Sequence, residues 1–139
     1  MRTLENFLAR VLSDDIGKLI LRLTLGILML FHGISKLEKG IDGIKFLVTK
    51  NGLPEFLAYG VYLGELIVPI LLIIGLYTRI SSFIYTVTMA FAIYLAHASY
   101  ILGTSAKTGA LLIETPLLFM LGALALMFLG AGKISVDKR

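Results

Sequence analysis

The stretch "GVYLGELIVPILLIIGLYTR", residues 60–79, decides the fold. It is apolar along almost its whole length and continues a block that begins at residue 56. A helix needs roughly 20 such residues to cross a hydrocarbon core of about 30 Å. Lipid offers backbone N–H and C=O groups no partner, so a spanning segment of this kind must be helical. Three more blocks, 16–35, 80–102 and 109–131, have the same character as 56–77. The 139-residue chain is 58% hydrophobic, with a mean hydropathy of +0.91. Soluble domains carry about 45–50% apolar residues. The pattern predicts an all-α membrane protein, a bundle of four transmembrane helices in a single domain over 1–139.

The segments between the blocks have their own signals. Leu4, Phe7, Leu8, Val11 and Leu12 share one face of a short N-terminal helix, with Arg2, Glu5, Asn6 and Arg10 elsewhere. Such a helix is too short to span and predicts an amphipathic element lying in the membrane interface. Ser13-Asp14-Asp15 supplies capping oxygens for the first spanning helix. The loop "KLEKGIDGIKFLVTKNGLPEF", residues 36–56, holds Ile41, Ile44, Leu47 and Val48 and predicts a second short interfacial helix. The brief "YTRIS" connection at residues 77–81 makes the second and third spans antiparallel neighbours.

The net charge of +4 sits at the block ends, which argues for topology rather than nucleic-acid binding. Arg2, Arg10, Lys18, Arg79, Lys133, Lys138 and Arg139 fall on one side; Lys36, Lys39, Lys45, Lys50 and Lys107 fall on the other. The bias predicts both termini in the cytoplasm. There is no cysteine, which excludes a thiol relay, thiolate metal ligation and c-type haem within this chain. The first block contains Arg22 and lacks an A-x-A end, so no cleavable signal is expected.

Five ionisable residues lie inside the blocks: Arg22, His32, Glu65, His97 and Glu114. Charges within a span usually face the bundle interior and pair, and they mark candidate sites. Helical rise places Glu65 about 14 Å below the outer face and Arg22 about 6 Å beyond it. An Arg22–Glu65 ion pair is therefore expected near mid-membrane. His32, His97 and Glu114 are expected around a pocket nearer the outer face, with Tyr62 and Tyr94 as supports. Arg22, Gly26, Met29, Gly33 and Lys36 form one stripe of the first helix, and Lys36 reads as a snorkelling anchor. Gly60 and Gly64 make a G-x-x-x-G, a weak signal for close helix packing. Pro69 cannot donate to the carbonyl of Glu65, and Pro116 cannot donate to that of Leu112. Each reads as a kink or a cavity wall. No E-x-x-H motif accompanies the acids, so no metal site is expected.

"LRLTLGILMLFHGISKL" (21–37), "GELIVPILLIIGLYTR" (64–79), His97, Glu114 and "GAGKISVD" (130–137) together resemble the DoxX family of small bacterial membrane proteins. The family pattern falls on Arg22, His32, Gly33, Lys36, Glu65, Gly75, Thr78, Arg79, His97, Glu114, Gly130, Gly132, Ser135 and Asp137. The resemblance implies a multi-pass protein of the bacterial inner membrane, linked to membrane oxidoreductases including thiosulfate:quinone oxidoreductase. The expectation is an oxidoreductase subunit with a quinone between its helices and a redox partner subunit or a second copy beside it. His32 or His97 would donate to the ring and Glu114 would relay protons. A scaffold subunit without chemistry and a small proton-coupled carrier are the alternatives.

Overall fold

The computed structural model describes residues 1–97 and 102–139, with His97 described by its backbone alone. We number its helices α1 (Arg2–Val11), α2 (Asp14–Lys39), α3 (Asp42–Lys50), α4 (Glu55–Ile74), α5 (Thr78–His97) and α6 (Glu114–Leu129). Three of them, α2, α4 and α5, are long and apolar enough to cross a membrane. The fourth, α6, is 16 residues of apolar helix. The fold is an all-α membrane bundle, as the hydropathy blocks require.

The N-terminal α1 has no buried residue, and its apolar side chains Leu4, Phe7 and Val11 are exposed, as is Leu12 just after it. Ser13 then caps α2, its hydroxyl accepting the Asp15 N–H at 3.2 Å. α2 and α5 begin, and α4 and α6 finish, at one end of the bundle together with the C-terminal tail. We call this the tail end, and the opposite one the α3 end. There α3 folds back on α4 and α5, burying Ile41 and Val48 against Ala58. The segment expected to lie in the membrane interface thus packs on protein. Leu25, Met29, Val68, Leu72, Tyr85 and Leu126 form the main core, and the Tyr85 hydroxyl donates to the Leu25 carbonyl at 3.0 Å.

α4 is not uniform. It opens as a 3-10 turn over Glu55–Tyr59, is α-helical over Gly60–Tyr62, widens to a π turn over Leu63–Ile67, and is α-helical again over Val68–Ile74. The Val68 N–H reaches the Leu63 carbonyl, five residues back. Pro69 sits just after the widened turn, where its missing N–H already interrupts the ladder. Π turns of this kind are often found at functional sites. Gly75 then ends the helix in the left-handed conformation (φ 73°), its N–H bonded to Leu71 and Leu72 carbonyls.

Two block boundaries need correction. The first span extends to Lys39 rather than ending at 35. The last starts at Glu114 rather than 109, because Pro116 lies in its first turn, where a missing N–H costs nothing. Residues 103–112 instead form a tight loop, with Leu112 N–H on the Gly103 carbonyl at 2.9 Å and Ser105 N–H on that of Ala110 at 2.7 Å.

Candidate functional site

A cavity of about 600 Å³ opens between α2, α4 and α5, roofed by α3 and by the start of α6. Pockets for small ligands span about 300–1,000 Å³ and are mostly apolar with a few placed polar groups. The lining here follows that rule. Met29, Leu63, Phe83, Val87, Phe91 and Phe119 supply apolar walls. Among the described lining residues, Lys36 and Glu65 are the charged ones, with His32 beside them.

These three side chains are placed by local structure. His32 and Lys36 are one turn apart on α2, so both project along the same side of the helix. Glu65 lies within the π turn of α4 and is almost wholly buried. Gly33 lets the two helices meet: a Cβ there would lie 2.0 Å from the Glu65 carbonyl oxygen. This brings the α2 backbone against the carbonyl whose ordinary helical donor Pro69 has removed. The Lys36 ammonium then donates to both Glu65 carboxylate oxygens, at 2.7 and 2.5 Å. The His32 ring meets Phe119 edge-on, centroids 6.1 Å apart.

The expected Arg22–Glu65 pair is not formed. Arg22 lies against Gly75, ten residues beyond Glu65 along α4, or about 15 Å at helical rise. The depth estimate failed because it anchored the first helix on a block ending at 35, whereas α2 runs to Lys39. Lys36 therefore does not snorkel outward; it turns inward to Glu65. Arg22 serves the tail instead. Its Nη1 and Nη2 each donate to the Ile134 carbonyl at 3.0 Å, and Nη1 also reaches Ala131 at 3.3 Å. The tail is fixed at two more points. Asp137 accepts the Tyr77 and Thr78 N–H groups, and Asp15 accepts that of Lys133. Arg79 donates to the Met127 and Phe128 carbonyls at the end of α6.

The remaining candidates are scattered. Glu114 is exposed at the first residue of α6 and does not line the cavity; its neighbours Thr115 and Pro116 do. The shift follows from the late start of that helix. Tyr62 packs into the small core under α3, and Tyr94 is exposed and stacked near Phe91; neither lines the cavity. The side chain of His97 lies outside the described residues. Among the described residues no three of His, Asp and Glu come together.

A model of the DoxX family matches residues 17–98. A protein of Bacillus subtilis (strain 168) named "Putative oxidoreductase CatD" is 40% identical over 81 residues, which cover 58% of this chain and 60% of that protein. The match thus spans about three fifths of that relative's length. No solved structure matches the chain. His32, Lys36 and Glu65 all fall inside the family segment, whereas the tail that holds Arg22 lies beyond it.

Proposed function

The chain belongs to the DoxX family, and we propose that this multi-pass membrane protein is a subunit of a membrane-associated oxidoreductase that holds a quinone-type ligand. The supporting observation is the cavity: an apolar slot in the bundle with its charged pair and His32 grouped on one wall. A quinone needs an apolar site and hydrogen-bond donors for its ring oxygens. His32 is the donor that the sequence pattern and the cavity lining share. Electrons would come from a partner protein, since this chain has no cysteine and no cofactor of its own is implied. The oxidoreductase named among its relatives supports the reaction class. The site belongs, in this reading, to a protein of the bacterial inner membrane with both termini in the cytoplasm.

The test is direct. Protein purified in mild detergent or nanodiscs is titrated with decylubiquinone and menadione, and organic extracts are examined by mass spectrometry. Saturable binding, or a co-purifying quinone, is the expected result. Neither ligand binding nor any extracted quinone removes the proposal.

A second reading rests on the Lys36–Glu65 bond itself, which ties α2 to α4 beside the Gly33 contact. A scaffold needs nothing more. It predicts that Lys36→Ala and Glu65→Ala each impair assembly, and that the double variant recovers it, because removing one member of a buried pair costs about 3–5 kcal/mol through the charge left behind.

A further inference from the structure

We propose that the Lys36–Glu65 pair reads the ligand's head group, and that its neutrality selects neutral, hydrogen-bond-accepting heads over anionic ones. This rests on the quinone-type reading and adds to it the contact residue and the basis of selection. An ammonium has three N–H donors and no acceptor. Two point at the Glu65 oxygens, at 2.7 and 2.5 Å. The third has no partner among the described hydrogen bonds. Lys36 lines the cavity and its side chain remains 33% exposed, against 4% for Glu65. The carboxylate is thus largely covered by the ammonium, and the ammonium carries the free donor at the cavity surface.

The arrangement has a consequence for charge. A lone lysine in an apolar slot would recruit a carboxylate or phosphate head. Here Glu65 already supplies the counter-charge, so the site's net charge is zero. An anionic head would have to displace a buried carboxylate or sit beside it, and an unpaired charge in such surroundings is costly. A neutral carbonyl oxygen gains a charge-assisted hydrogen bond and leaves the pair intact. His32 stands one helical turn away on the same wall, with Cβ atoms about 5–6 Å apart at that spacing. The wall therefore offers two donors for a ring bearing two carbonyl oxygens, with the apolar walls left for the rest of the molecule.

The experiment uses the full chain in nanodiscs, with decylubiquinone labelled with ¹³C at its ring carbonyls. Affinity is measured by titration and hydrogen bonding by the infrared carbonyl band of the bound label. The variant Lys36→Met/Glu65→Gln removes both charges together and leaves no unpaired ion; Lys36→Arg keeps the ion pair but presents a planar group. The proposal expects a down-shifted carbonyl band in the wild type, lost in the double variant together with about tenfold or more in affinity, the worth of one hydrogen bond to a charged group. Lys36→Arg retains binding with the band moved, and decanoate fails to compete. If the wild type binds decylubiquinone but affinity and band are unchanged in both variants, or decanoate displaces it, the head-group assignment falls while the quinone reading stands. If the wild type binds no quinone, both fall.

Discussion

Gly33 has the closest approach among the described glycines, and the protein's tolerance of change there follows from one distance. An alanine Cβ would sit 2.0 Å from the Glu65 carbonyl oxygen, which is main chain and has no rotamer to change. The helices must part, and overpacking of this kind costs about 1–3 kcal/mol. Gly33→Ala is therefore expected to lower the thermal unfolding midpoint in detergent. Gly17→Ala, on the same helix with nothing within 4 Å of its Cβ, is the control and should leave the midpoint unchanged or raised. Equal behaviour of the two variants would mean that the α2–α4 contact is not tight in solution. The inward stripe containing Gly33 was legible from spacing alone: Arg22, Gly26, Met29 and Gly33 are all buried on α2. Lys36 continues that stripe, which was the signal that it turns inward. Which acid it meets was not legible, because pairing depends on how two helices slide past each other. A stripe fixes a helix's rotation but not its height.

A single side chain from the tail sets the start of α5. Its first turn has two N–H groups, on Tyr77 and Thr78, held by the Asp137 carboxylate at 3.0 and 2.8 Å from sixty residues away in sequence. Burial raises the Asp137 carboxyl, but those N–H groups and the charge of Arg139 outweigh it and hold it below the usual aspartate range. A carboxylate depressed in the folded state stabilises above its unfolded pKa, and the contribution is lost as pH falls through the folded value. Asp137→Ala should therefore cost about 0.5–2 kcal/mol at neutral pH, as other N-cap removals do. The gap between wild type and variant should close as the solution is taken from about pH 5 toward pH 2. A gap that stays constant over that range would show that Asp137 does not act through its charge. The motif "GAGKISVD" showed that something is built there, but a cap supplied by the tail to a distant helix has no local sequence signature. Pro116 carried a clearer message. It marks the first turn of α6, and taking it as a mid-helix break is what misplaced Glu114 within the membrane.

The bundle as a whole has two unlike ends, and its orientation decides which side of the membrane the site serves. Arg79, Lys133, Lys138 and Arg139 gather at the tail end with Arg2, Arg10 and Lys18, while the cavity opens nearer the α3 end, under Ile44 and Leu47. The positive-inside rule then predicts the tail in the cytoplasm and the cavity in the opposite half. This requires α6 to cross. Its 16 residues reach about 24 Å, short of a core of about 30 Å, a mismatch that local thinning and flanking side chains absorb. Since the chain has no cysteine, single cysteines report without background. In intact cells an impermeant maleimide should label Lys50→Cys, on α3, and spare Lys138→Cys until the membrane is opened. The opposite pattern would place the cavity toward the cytoplasm. Labelling of both in intact cells would mean that α6 does not span. For the proposed quinone function the distinction bears on mechanism, because a quinone reduced in the outer half would take its protons from outside the cytoplasm, and one reduced in the inner half from within. The same pair of labels thus fixes both the path of α6 and the side from which the Lys36–Glu65 wall is reached by water.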